Sequence, residues 1–235
     1  MAIFHNQYFQ KLMGGTALER VGVNGLSRLQ MLMLSRHKPV EVLELLRRVR
    51  RERTTLQTGY ETFIIYSMAR AYCRLPGEMA EVGVFQGASA KLICTVKGSK
   101  PLHLFDTFEG LPKASAQDGD VHKPAQYACS LESVQAYLKG FENVHFYKGL
   151  FPASAAELHE TKFCFVHLDV DLYDSTMAAL HYFYPRMTTG GLIISHDYSL
   201  LAGVKTAVDE FMRDKPEPVV ELPTTQCMLN KLPSG

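Results

Sequence analysis

The 235-residue chain predicts an α/β fold: a doubly wound, mostly parallel, seven-stranded sheet with helices on both faces and a helical extension in front of it. Three observations predict it. From residue 79 onward short apolar runs alternate with stretches of helical spacing, the order that builds parallel sheets through right-handed crossovers. Several of those runs close on titratable residues, at Asp106, at Asp169 and Asp171, and at His196 and Asp197. The first run ends in a glycine-bearing turn, Gly83 to Gly87, that leads into a helix. Such features belong at the C-terminal edge of an open sheet, where ligands bind.

Residues 1–58 hold helix-forming stretches without a strand pattern and read as a helical extension or cap, with the domain proper at 59–235. Val42, Leu45, Leu46 and Val49 recur there at helical spacing, and Arg47, Arg48, Arg50, Arg51 and Arg53 crowd the end of that helix. Arginines near a helix C-terminus complement its dipole, and no aromatic residues interleave them. The segment therefore reads as a cap or oligomer contact, not a nucleic-acid or membrane patch.

A second helix spans 56–73 and stops at Leu75-Pro76-Gly77. Then come a strand at 79–84, a helix at 87–96, strands at 102–106, 144–147 and 163–170, a helix at 174–184, a strand at 192–195 and a helix at 204–212. Segments 219–222 and 227–229 supply a closing antiparallel pair around Pro223-Thr224-Thr225. The polar stretch 110–130 interrupts the alternation and reads as a lid that excludes water from the site.

Apolar residues make up 46% of the chain, enough for one α/β domain with a peripheral extension. Lysine and arginine number 25 against 24 aspartates and glutamates, so no global field recruits nucleic acid or an anionic membrane. Small neutral or mixed-charge substrates fit better. No apolar run approaches the roughly 18 residues of a membrane span, and residues 1–6 carry no basic-then-apolar export pattern. Five cysteines are scattered singly, without a paired spacing. Together these point to a cytoplasmic protein whose thiols behave as small hydrophobes.

The turn after the first strand needs Gly83 and Gly87 where a ligand, or simply a tightly packed neighbour, approaches the backbone. The helix N-terminus beyond offers unpaired N–H groups. Phe85 stands where a dinucleotide fingerprint has its middle glycine, which disfavours a pyrophosphate. Asp106, one strand over, can accept from ribose hydroxyls or cap its own turn. Glu81, inside an apolar strand, needs a polar partner: a ligand or backbone amides. Asp169 and Asp171 are two apart and face one pocket only if the strand bends at its exit. Asp169, His196 and Asp197 form an oxygen-plus-nitrogen set suited to a divalent ion such as Mg²⁺ or Mn²⁺, which leaves Asp171 free as a base. His167 reads as a buried structural histidine. Tyr173 and Tyr198 either line the pocket or pack.

Five segments in the same order resemble the macrocin O-methyltransferase family. They are Glu81-Val82-Gly83-Val84-Phe85-Gln86-Gly87-Ala88-Ser89, Phe105-Asp106-Thr107-Phe108-Glu109-Gly110-Leu111-Pro112, Lys148-Gly149-Leu150-Phe151, Leu168-Asp169-Val170-Asp171-Leu172-Tyr173-Asp174-Ser175-Thr176, and Tyr184-Pro185 through Gly190-Gly191 to Asp197-Tyr198. The resemblance covers residues 76–231. It implies a class I, Rossmann-like methyltransferase that uses S-adenosylmethionine to methylate a hydroxyl of a sugar or natural-product intermediate. By that resemblance Glu81, Gly83, Gly87 and Ser89 hold the methionine end of the cofactor and Asp106 its ribose. Asp169, His196 and Asp197 hold magnesium, and Asp171 is the general base.

His196 stands where the family usually has aspartate. Three arrangements stay open: a metal more tolerant of imidazole, a metal held by Asp169 and Asp197 alone, or a metal-free site with His196 as base; a non-catalytic methyltransferase-like subunit is the remaining alternative. The expected partner is a small-molecule hydroxyl acceptor, with association of copies through the N-terminal helices.

Overall fold

The computed structural model describes residues 16–119 and 121–233. Residues 1–6, expected to carry no export signal, and Asp120 of the expected lid lie outside them. Glu78–Val82, Leu102–Asp106, Val144–Lys148, Phe163–Leu168 and Met187–Ser195 form parallel strands β1 to β5; Val220–Glu221 and Cys227–Asn230 form β6 and β7. They make one sheet in the order β3-β2-β1-β4-β5-β7-β6, with β7 antiparallel to both neighbours. The order reverses between β1 and β4, which opens a crevice beyond their C-terminal ends.

Period-two alternation explains the two buried faces. Ala80, Val82, Phe105, Val166, Leu168 and Ile193 pack on one side with helices α6 (Tyr173–Phe183) and α7 (Ala202–Met212). Met79, Leu102, Leu104, Phe165, Leu192 and Ile194 pack on the other against α3 (Gly59–Tyr72), α4 (Ala88–Val96) and α5 (Leu131–Tyr137).

The helical extension contributes α1 (Ala17–Leu34) and α2 (Val40–Glu52), and it shares a core with the sheet domain. Met31, Leu34, Val42, Leu46 and Val49 pack against Ala88 and Leu92 of α4. Two of the clustered arginines tie the segment down. Arg50 donates to the Gln57 carbonyl and, at 3.1 Å, to Asn24; Arg53 donates at 2.9 Å to the Ser133 hydroxyl and carbonyl and stacks on Tyr137. Among the described residues no helix is long and apolar enough to cross a membrane. All five cysteines are free, and burial pushes the Cys94 and Cys227 thiols up to about 12.

Several boundaries differ from the sequence expectation for physical reasons. β5 begins at Met187, not at 192, because Gly190 and Gly191 are carried through the sheet by hydrogen bonds with Lys231 at 2.7 and 2.8 Å. β4 stops at Leu168, two residues early, where the chain turns. α5 was not anticipated; Ser130 caps it by accepting from Ser133 N at 3.2 Å. The N-cap position of α6, Leu172, offers no side-chain cap, and Asp118 of the distant 110–130 segment instead accepts from Tyr173 N at 2.6 Å.

Two residues test this packing. Gly83 has φ +85°, and a Cβ there would lie 1.8 Å from the Asp169 carbonyl oxygen. Gly83→Ala is expected to cost about 3 kcal/mol or more, read by urea denaturation. Glu217 is buried and accepts from Tyr184 Oη at 2.6 Å, Lys231 Nζ at 2.9 Å and Leu232 N at 3.1 Å. Burial would raise its pKa, but the bonds from Tyr184 and Lys231 outweigh it and hold the carboxyl at about 2 instead of 4.5. Glu217→Gln should therefore cost about 2 kcal/mol at pH 7. The deficit should shrink as the pH falls below 4.5 toward about 2, where the wild type loses the same contribution.

Candidate active site

The ends of β1, β2, β4 and β5 open into one cavity of about 820 Å³. Gly83, Asp106, Asp169, Asp171, His196 and Asp197 all line it, and so does Ser89 at the start of α4. The backbone brings them together: Gly83 N donates to Phe105 O at 2.9 Å, Asp169 N to Val82 O at 2.9 Å and His196 N to Leu168 O at 2.8 Å. Each strand exit is thus clipped to its neighbour.

Two sequence-predicted residues do not reach the cavity wall. Gly87 is the N-cap of α4 at φ +80°, so its glycine serves the helix start. Glu81 is fully buried beneath the wall, and among the described residues Oε1 has a side-chain partner while Oε2 has none. Oε1 faces His167 Nδ1 at 2.7 Å, because β1 and β4 pair Glu81 with His167 in register. Burial raises the Glu81 carboxyl above its usual range, and the His167 contact opposes that shift. The structural reading of His167 is what the fold shows.

Asp106 is committed to the chain. Its Oδ2 accepts from Val84 N at 2.7 Å and Phe85 N at 2.9 Å, and its Oδ1 from Phe108 N at 2.7 Å. This carboxylate braces both the β1 and β2 loops, with Phe85 at φ +48° and Phe108 at φ +56°. A ribose hydroxyl would share oxygens that three amides already use.

The bend needed to bring Asp169 and Asp171 to one pocket is present. Leu172 N donates to Val170 O at 2.7 Å across Asp171, whose φ is +60°, a strained γ-turn. Asp197 has φ +59°. Positive φ at non-glycine residues costs energy and concentrates where geometry serves function. Burial, then the Asp197 and Asp169 carboxylates, push Asp171 well above the usual carboxylate range.

His196 lies at the centre of the acidic group. Its Nδ1 is 3.1 Å from Asp169 Oδ1 and 3.0 Å from Asp197 Oδ2, and its Nε2 is 3.5 Å from Glu61 Oε2. Burial opposes a charge on the ring, but Asp169, Asp197 and Glu61 outweigh it and hold its pKa well above the ordinary histidine value. Asp169, against its own burial, is held at about 2 by His196, His167 and Gln57.

The donor set fits a divalent cation. One atom each from Asp169, His196 and Asp197 falls within 4.8 Å of the others, and the 3.0 and 3.1 Å separations match adjacent donors around a six-coordinate ion, roughly 3 Å apart. Both ring nitrogens of His196 are buried without a well-directed hydrogen bond among the described residues. A nitrogen ligand in this set suits Mn²⁺ or another imidazole-tolerant ion better than Mg²⁺.

Sequence reasoning missed two buried residues that face this group. Gln57 Nε2 donates to Asp169 Oδ2 at 2.8 Å, and Glu61 approaches His196 from α3. Both lie before the first strand, where no apolar-run ending marks them. Glu61 did carry a signal, as the fourth residue of Thr58-Gly59-Tyr60-Glu61, which forms a capping box at the start of α3.

The 110–130 segment folds over the cavity, held by hydrogen bonds between Leu111 and residues 125 and 126 at 2.9 Å. Val121, His122, Gln126 and Tyr127 line the cavity from that side. Both His122 ring nitrogens and Gln126 Nε2 are buried without a partner among the described residues, so polar groups there remain available to a ligand. Tyr173 and Tyr198 pack elsewhere, their hydroxyls on Glu210 at 2.7 Å and Asp209 at 2.6 Å. Lys148 pairs with Glu109 at 2.9 Å, while Gly149 next to it lines the cavity.

Comparisons with known proteins agree with this geometry. Solved structures share the fold: the O-methyltransferase NovP at 21% identity and TM-score 0.63 over 76% of this chain and 82% of that one, and the calicheamicin methyltransferase CalS11 at 19% and 0.64 over 87% and 91%. An S-adenosylhomocysteine-bound methyltransferase of Podospora anserina matches at 16% and 0.60 over 90% and 96%. Among curated proteins, a rhamnosyl-tetracenomycin-C 4'-O-methyltransferase of Streptomyces olivaceus is 28% identical over 54% of each chain. Demethyldecarbamoylnovobiocin O-methyltransferase of Streptomyces niveus is 27% identical over 58% of each. The chain thus spans little more than half the length of these relatives. A sequence profile of the macrocin O-methyltransferase (TylF) family matches residues 68–228, from α3 to β7 and across the whole cavity floor, and the chain belongs to that family.

Proposed function

We propose that the protein is an S-adenosylmethionine-dependent O-methyltransferase that acts on a hydroxyl of a small molecule, a sugar or natural-product intermediate, with a divalent cation at Asp169, His196 and Asp197. The observation that carries this reading is the convergence of four strand exits on one cavity, with the Gly83 turn and Ser89 on one side and the acidic group on the other. By their names, one relative above methylates a rhamnosyl-tetracenomycin and another demethyldecarbamoylnovobiocin, which supports the acceptor class.

Methyl transfer from a sulfonium is an in-line displacement, so the first requirement is alignment. Gly83 lets the donor approach the β1 turn, and Ser89 meets it at the start of α4. Glu81 and His167 fix the floor below. The second requirement is a competent oxygen, since a hydroxyl is a weak nucleophile until it loses its proton. A divalent cation, when bound, supplies positive charge beside that oxygen and lowers its pKa by several units. Asp171 stands at the strained turn beside Asp197, and its raised pKa makes the carboxylate a stronger base for that proton. The 110–130 wall keeps water away and offers His122 and Gln126 to the acceptor.

A second reading drops the metal. Three carboxylates around a buried His196 favour a positively charged ring, which would stand in for the cation while Asp171 remains the base.

Two measurements test these roles. Asp171→Asn is expected to lower kcat by about 10²- to 10⁴-fold, read as S-adenosylhomocysteine release on a panel of deoxysugar glycosides. Its calorimetric affinity for S-adenosylmethionine should stay near wild type, and a parallel loss of donor binding would contradict the assignment. Treatment with EDTA should lower turnover by about 10²-fold or more, with recovery on Mn²⁺ addition. Full activity in excess EDTA would select the metal-free reading, and failure of the wild type to bind S-adenosylmethionine would remove both.

A further inference from the structure

Glu61 has more partners than a helix cap needs. Its Oε2 accepts from Thr58 N at 2.6 Å, which completes the capping box of α3. Its Oε1 accepts from Thr225 Oγ1 at 2.8 Å and Thr225 N at 3.2 Å, across the molecule in the turn between β6 and β7. A capping box works at a solvated surface, yet Glu61 is only 2% exposed. Burying a carboxylate is costly unless positive charge or good donors face it. His196 faces it, with Nε2 3.5 Å away, and Arg50 adds a favourable field from α2.

The other side of the same ring shows what that contact does. Nδ1 points at Asp169 and Asp197, the pair that would share a cation with it. A histidine binds a metal only through a nitrogen that carries no proton, and a carboxylate behind the ring fixes which nitrogen that is. An aspartate at position 196 would need no such support.

We infer that Glu61 is a positioning residue for metal binding: its negative charge behind the ring favours the His196 proton on Nε2 and so leaves Nδ1 for the cation beside Asp169 and Asp197. This inference rests on the metal-assisted reading above. Glu61 lines the cavity and acts on the metal site through His196. Gln57 plays the matching part for Asp169, whose Oδ2 it holds at 2.8 Å while Oδ1 faces the ring.

Glu61→Gln keeps the shape of the side chain and an acceptor oxygen for Thr58 N, so α3 retains its cap. The experiment is calorimetric titration with Mn²⁺ and Co²⁺, together with the visible spectrum of bound Co²⁺, for the full chain and for Glu61→Gln, each with His196 and with His196→Asp. Thermal melting of all four proteins monitors folding. In the chain that keeps His196, Glu61→Gln is expected to weaken metal binding by about 10- to 100-fold and to shift the Co²⁺ spectrum. In the His196→Asp background the same change should alter affinity less than about twofold, because no ring is left to orient. Unchanged affinity in Glu61→Gln overturns the inference while leaving the metal reading intact, and so does an equal loss in both backgrounds. A wild type that binds neither ion overturns the metal reading and this inference with it.

Discussion

The contact between the exits of β1 and β4 governs this molecule. At that point the sheet order reverses, Val82 O accepts from Asp169 N, and Gly83 lies so close to the Asp169 carbonyl that no side chain fits between them. Everything chemical is arranged around this seam. Donor-side residues follow β1, the acidic residues follow β4 and β5, and the strand pairing holds both sets within one cavity. The buried Glu81 and His167 pair lies one layer beneath, joining the same two strands through side chains.

The acidic group illustrates how position sets protonation. Three carboxylates, from Glu61, Asp169 and Asp197, surround one imidazole, Asp171 lies two residues beyond Asp169, and the two ends of that short turn behave oppositely. Asp169 faces the ring and a glutamine amide and stays ionised, whereas Asp171 faces other carboxylates and is driven toward its neutral form. Environments that push paired carboxylates apart are a general route to distinct acid and base roles.

Much of this was legible in the sequence because strands buried on both faces leave an apolar run with a polar terminus. Strand Leu102–Asp106 was expected with both of its ends, and topology brought Gly83, Asp106, Asp169, His196 and Asp197 to one edge, while Asp171 needed the bend at the strand exit as well. What escaped was long-range or locally ambiguous. The Gly190-Gly191 pair reads as a turn until Lys231 is seen pairing with both residues. Gln57 and Glu61 carry no strand-end signature, and their approach to the site depends on how α3 docks. Asp106 could be a ribose ligand or a loop brace in sequence, and its three amide partners reveal the second role.

Asp118 joins the wall of the cavity to the helices behind it. Its Oδ1 accepts from the first amide of α6, and it also packs so tightly on Gly203, at the start of α7, that a Cβ there would meet the same oxygen at 2.1 Å. One side chain therefore sits against the amino ends of two helices, where a negative charge is electrostatically favoured. Any displacement of this wall that carried Asp118 with it would remove that charge from both amino ends at once.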